Sequence, residues 1–325
     1  MKPIEITNLQ PKNLLKIRWC AGNVCNFNCE YCESHDGDYP YPRDLASIYN
    51  NFRRLFEVYK TTHHKDKFEL EISGGEPTLW PDLGSFVKLI KKDWDVDVQL
   101  ISNGSRSLRW WKLYSRYFDK INFSFHHKQA DINHFVRVVD EVVSQGVSVN
   151  VMVLMDPNNF EKCVDSINTM KKTRHEKWSI DARPIFSIPN FSVTYTDKQK
   201  KYLKNNLKSL PNLKWILKNL FKFERNESVV RFENGKSKKA NPTYHTTNFN
   251  KFKGWQCNIE LENIYIHWTG KLQGSCGQLL FDKEYNIYDK NFSNKFKEVV
   301  PLKLMCERDC CFCQPETHIS KVSLS

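Results

Sequence analysis

Short apolar runs alternate with amphipathic stretches through the first 190 residues. The runs Leu14–Trp19, Phe68–Ser73, Val96–Ser102, Lys120–Phe125, Val147–Met155 and Trp178–Ile185 have the length and β-branched or aromatic content of strands. Between them, apolar residues recur at helical spacing over Asp44–Tyr59, Trp80–Lys92, Ser107–Phe118, Asp131–Gln145 and Phe160–Lys172. Pro81 and Pro157 stand near two helix starts, where a missing N–H is tolerated, and Gly146 stands where a helix ends. Six strands alternating with helices predict an α/β fold: a parallel sheet with right-handed crossovers, open or curled into a partial barrel. Ligands then gather at the carboxyl ends of the strands.

After Tyr195 the pattern changes. A basic helical stretch, Asp197–Phe223, leads into an Asn/Lys-rich loop that runs to Gly254. The tail from Trp255 is rich in cysteine, and Asn263–Trp268 and Lys271–Gly274 flank Thr269-Gly270 as a hairpin would. These shifts divide the chain into a core (1–195), a basic helical connector (196–254) and a small C-terminal hairpin/helix domain (255–325). The chain begins its first expected strand at about residue 14, which leaves no room for an N-terminal peptide-binding module.

Composition narrows the classes. Of 325 residues, 40% are hydrophobic, enough for a sizeable core and against wholesale disorder. No apolar run has membrane-spanning length and the N-terminus lacks a signal-peptide pattern, so the expected location is the cytoplasm, with no membrane partner. The net charge of +12 is concentrated in the connector, where fifteen Lys/Arg face four Asp/Glu. Such a segment is either a basic face for an acidic substrate, peptide or nucleic acid, or a solvated linker. No nucleic-acid motif accompanies it, which favours the linker.

The eleven cysteines carry the chemistry. Cys20, Cys25, Cys29 and Cys32 cluster at the start, Cys257, Cys276, Cys306, Cys310, Cys311 and Cys313 at the end, and Cys163 lies alone. Clustering without a secretory signal points to metal thiolates rather than disulfides. Cys25-x3-Cys29-x2-Cys32 can wrap three thiolates around a [4Fe–4S] cluster and leave one iron open. A zinc site closed by His35 satisfies the same spacing.

The stretch CNFNCEYC, with Tyr31 just before its last cysteine, resembles the signature loop of radical S-adenosylmethionine (SAM) enzymes. Ser73-Gly74-Gly75-Glu76-Pro77 closes the second expected strand and resembles that family's GGEP motif. The resemblance covers roughly residues 14–190. It implies a partial (β/α)6 barrel in which Cys25, Cys29 and Cys32 hold the cluster and the open iron chelates SAM. It further implies that Tyr31, Ser73, Gly74, Gly75 and Glu76 belong to the SAM site, together with Ser102 and Asn103 at the third strand end and Ser124 at the fourth. Reductive cleavage to a 5′-deoxyadenosyl radical, and an electron donor such as flavodoxin or ferredoxin, follow from the same resemblance. His126, just past the fourth strand, is a candidate for proton transfer or substrate contact. Arg137 and Arg183 are candidates for pairing with a carboxylate.

The C-terminal cysteines resemble the SPASM or shorter twitch extension of the same family, which implies one auxiliary [4Fe–4S] cluster. Cys257, Cys276, Cys311 and Cys313 are its expected ligands, with Cys306 and Cys310 as substitutes and structural zinc as the alternative. The expected substrate is a ribosomal peptide or a small sugar or alcohol. The competing class is a non-enzymatic iron–sulfur or zinc protein that binds nucleic acid.

Overall fold

The computed structural model describes residues 2–32, 37–38, 40–42, 44–173, 178–185, 192–206, 227–240, 244–245, 248–249, 251–297, 304–308, 311 and 317–324. Strand β1 (Pro3–Asn8) is followed by β2 (Leu14–Cys20) and helix α1 (Leu45–His63). Alternation then continues through β3 (Lys67–Ser73), α2 (Leu83–Asp93), β4 (Val96–Ser102) and α3 (Leu108–Tyr114). It runs on through β5 (Lys120–Phe125), α4 (Ile132–Ser144), β6 (Ser148–Met155), α5 (Phe160–Thr173) and β7 (Trp178–Pro184). All six strands and five helices expected from the periodicity are present, with ends shifted by a few residues.

These strands form one sheet in the order β2-β3-β4-β5-β6-β7, all parallel. One face packs on the helices: Ile17, Trp19, Leu70, Ile72, Leu100, Phe123 and Val151 are fully buried there with Phe52, Phe86 and Phe135. Alternate positions carry polar residues (Lys16, Arg18, Glu69, Glu71, Asn122, Asn150), which a pleated strand must place on the opposite face. A packed barrel interior would be branched and apolar. This one is built to be wet.

The second half departs from the sequence expectation in three ways. After α6 (Asp197–Asn206), the supposed Asn/Lys-rich loop contains a hairpin, β8 (Ser228–Phe232) and β9 (Ser237–Ala240). Asn234-Gly235 turns it, with Gly235 at φ +77. After β10 (Trp255–Cys257) and the short helix α7 (Ile259–Glu262), the expected hairpin forms as β11 (Asn263–Ile266) and β12 (Leu272–Gln273). It does not stand in a separate C-terminal unit: β11 pairs in parallel with β2, so the sheet reaches eight strands. Ile264 and Ile266 are fully buried in the core that the sheet shares with its helices. Third, the chain's first strand is β1, not the run at residue 14. After α8 (Phe292–Lys295), β13 (Leu304–Met305) and β14 (Lys321–Ser323) close an antiparallel sheet in the order β13-β10-β14-β1-β8-β9. The two chain ends therefore pair with each other. Among the described residues no helix is long and apolar enough to cross a membrane.

Candidate active site

The loop after β2 carries the three cysteines and is stitched to the loop after β3 by backbone bonds. Ala21 N–H donates to the Ser73 carbonyl at 2.9 Å, Gly75 N–H to Gly22 at 2.9 Å and Glu76 N–H to Val24 at 2.8 Å. The glycines permit this approach. A Cβ on Gly74 would lie 2.3 Å from the Gly22 oxygen, and one on Gly75 2.0 Å from the Val24 oxygen. Gly74 also sits at φ +135.

Glu76 is fully buried and faces four donors. Oε1 accepts from Thr78 N at 3.1 Å, Thr78 Oγ1 at 2.5 Å and Ser102 Oγ at 2.8 Å; Oε2 accepts from Asn103 N at 2.6 Å. Burial pushes its carboxyl above the usual range, and those donors pull against it. Its carboxylate thus ties the end of β4 to the loop after β3.

Cys25, Cys29 and Cys32 line one cavity of about 180 Å³ with Gly74, Gly75, Ile101, Ser102, Asn103, Ser124, His126 and Phe27. Eight of the residues singled out from the sequence thus stand with His126 around one space, at the carboxyl ends of the strands. Ser73, Glu76 and Tyr31 stand behind its wall. Asn103 Nδ2 lies 3.8 Å from Cys25 Sγ and 3.0 Å from Asn26 Oδ1, and Phe27 N–H donates to Cys25 Sγ at 3.3 Å. Tyr31 O–H lies 2.9 Å from His126 Nδ1, and Cys29 Sγ lies 3.4 Å from the same nitrogen. Burial lowers the His126 pKa to about 4, so the ring is neutral at ordinary pH. Burial pushes the Cys29 thiol up to about 11; a thiolate there calls for a cation such as a metal. Phe27 and Asn26 escaped the sequence reading, though both lie inside the cysteine loop.

In a second, polar cavity of about 460 Å³ the polar sheet face meets Asn8, Gln10, His318 and Ile319. Its charges are largely matched. Lys16 pairs with Glu69 at 3.7 Å and Arg18 with Glu71 at 3.3 Å, each directly across the β2–β3 register. Arg183 pairs with Asp181 at 3.3 Å. Lys120 lines the same space and has no ion-pair partner among the described residues. Arg137, bonded to the Asn133 carbonyl at 3.3 Å, instead lines a space that shares Phe27 and Asn103 with the cysteine cavity.

The C-terminal cysteines also converge. Cys257, Cys276, Cys306 and Cys311 line a small cavity with Phe252, Gln278, Arg308 and Lys321. Cys310, Cys313 and His35 lie outside the described residues. Among the described residues no three His, Cys, Asp or Glu side chains close on a single metal ion; in both places the thiols ring a space. Cys20 is buried and hydrogen-bonded to Tyr265, and Cys163 is buried against the Leu154 carbonyl at 3.5 Å.

Comparison with known proteins gives a consistent picture. Residues 19–170 match the Radical SAM superfamily. The chain is similar to a probable GTP 3',8-cyclase of Thermoplasma volcanium, 25% identical over 237 residues, 68% of each chain. The GTP 3',8-cyclase of Aliarcobacter butzleri is 35% identical over 83 residues, 25% of this chain and 24% of its own length. The chain thus spans about a quarter of that relative. Among solved structures, anSMEcpe with bound AdoMet superposes with a TM-score of 0.51 at 15% identity, over 87% of this chain and 79% of that one. SuiB of Streptococcus suis bound to S-adenosylmethionine gives 0.53 at 9% identity, over 87% and 65%. At such identities the likeness is one of fold.

Proposed function

We propose that this chain, whose residues 19–170 match the Radical SAM superfamily, is an enzyme that cleaves SAM in the cysteine-lined cavity and acts on a polar substrate, with an auxiliary [4Fe–4S] cluster at the C-terminal cysteines. The observation that carries this reading is the ring of Cys25, Cys29 and Cys32 around one cavity with Gly74, Gly75, Ser102, Asn103 and Ser124. Thiols standing around a space suit a multi-iron cluster. Cys25, Cys29 and Cys32 would hold such a cluster, which once reduced would supply the electron for cleavage of SAM and so the radical that takes a hydrogen atom from the substrate.

The chain's own residues position and shield. Asn103 and the Phe27 N–H place donors at Cys25, which favours the more negative, reduced state of what Cys25 binds. Tyr31 fixes the His126 ring, so His126 acts first on Cys29 and the cavity wall. The four described C-terminal thiols, drawn from three stretches of the chain, form a donor set that fits an auxiliary cluster.

The polar cavity bears on the substrate. GTP 3',8-cyclase relatives act, by their name, on a nucleoside triphosphate. Here Lys16, Arg18 and Arg183 are already matched by carboxylates, which leaves little uncompensated positive charge for a triphosphate. A hydroxylated or zwitterionic substrate, a peptide segment or a small sugar or alcohol, suits these walls better. The test adds GTP to anaerobic, reduced, SAM-loaded enzyme and follows 5′-deoxyadenosine. No GTP-dependent rise is expected; a rise of tenfold or more would return the chain to the cyclase reading.

A further inference from the structure

The C-terminal cysteine cavity has two cations in its wall, and they are held differently. Arg308 is exposed and donates to the Cys276 carbonyl at 2.7 Å. Lys321 is only 5% exposed. It sits directly opposite Cys257 in the antiparallel β10–β14 pair, a register that puts the two side chains on one face, roughly 5 Å apart at Cβ. Its Nζ lies 4.2 Å from the centre of the buried Phe252 ring, which also lines the cavity. That cation–π contact keeps the ammonium beside the thiols instead of letting the long side chain reach solvent.

A positive charge in a low-dielectric wall acts strongly on neighbouring charge. A cluster held by four thiolates is anionic, and one electron makes it more so; potential follows net charge and burial. We infer that Lys321 is the counter-charge of the C-terminal cluster, stabilising its reduced state and raising its reduction potential. The inference rests on the auxiliary-cluster reading above.

The experiment uses the full chain with Cys25, Cys29 and Cys32 changed to Ala, reconstituted anaerobically, so that only the C-terminal site can carry iron and sulfide. Redox titration followed by electron paramagnetic resonance then compares Lys321 with Lys321→Arg, Lys321→Gln and Lys321→Met. The midpoint should move to more negative potential in the Gln and Met variants and stay near the parent value in the Arg variant. Loss of the cluster from both neutral variants, with retention in the Arg variant, also supports the counter-charge. An unchanged midpoint with the cluster intact would overturn the role of Lys321 and leave the auxiliary cluster standing. Failure of the parent to take up iron and sulfide would overturn the cluster reading and this inference together.

Discussion

Gly75 and Gly22 are joined by a 2.9 Å backbone bond, and the contact is so close that a Cβ on Gly75 would lie 2.0 Å from the neighbouring Val24 oxygen. The cysteine loop is therefore shaped by the loop after β3 before any cofactor arrives. Gly75→Ala should push the two loops apart and cut the iron bound at the first site severalfold, measured as iron and sulfide per chain. Gly146→Ala is the control: its Cβ would meet nothing within 4 Å, though φ is +84. It should cost about 1 kcal/mol of stability and leave iron content unchanged.

Glu76→Gln tests the second brace. Four donors point at the carboxylate, and an amide must present an N–H to one of them. The expected loss is about 2 kcal/mol in chemical denaturation, with weakened SAM binding, because the end of β4 is released. Thr78→Ala, which deletes one donor, should cost about 1 kcal/mol.

Glu260 predicts a pH dependence. It is 3% exposed, Oε2 has no hydrogen-bond partner among the described residues, and burial raises its carboxyl from 4.5 to about 8. The folded state thus holds a proton that the unfolded state releases above pH 4.5. Stability is full below that value and declines as pH rises toward 8. His245 and His318, lowered by burial to about 4 and 3, act in the opposite sense below their ordinary pKa of 6.5. Between pH 6.5 and 8 the Glu260 effect should therefore dominate, at about 2 kcal/mol. Thermal melts should fall across that window in the parent and stay nearly level in Glu260→Gln.

Much of this was legible in the chain itself. The periodicity of residues 14–185 is strong because each strand feeds one apolar face to a helix, and local pattern determines such units. The cysteine loop and Gly74-Gly75 were readable because their chemistry sits in contiguous residues. What stayed hidden was long-range pairing. β1 reads as an ordinary alternating stretch, yet its partners are β14 and β8, at far ends of the chain. The Asn234-Gly235 turn offered a hairpin signal that the surrounding lysines obscured. Glu76 was expected in the SAM site by resemblance; its enclosure by Thr78, Ser102 and Asn103 has no short-range signature. Nor does Lys321, whose place beside Cys257 depends on strand register.

The central claim is tested most directly by anaerobic reconstitution followed by reduction with dithionite and addition of SAM, with 5′-deoxyadenosine and methionine as the readout. The parent chain should form both products, Cys29→Ala should form neither, and Cys257→Ala should retain uncoupled cleavage. Absence of both products from parent protein with its clusters intact, across several reductants, would contradict the account.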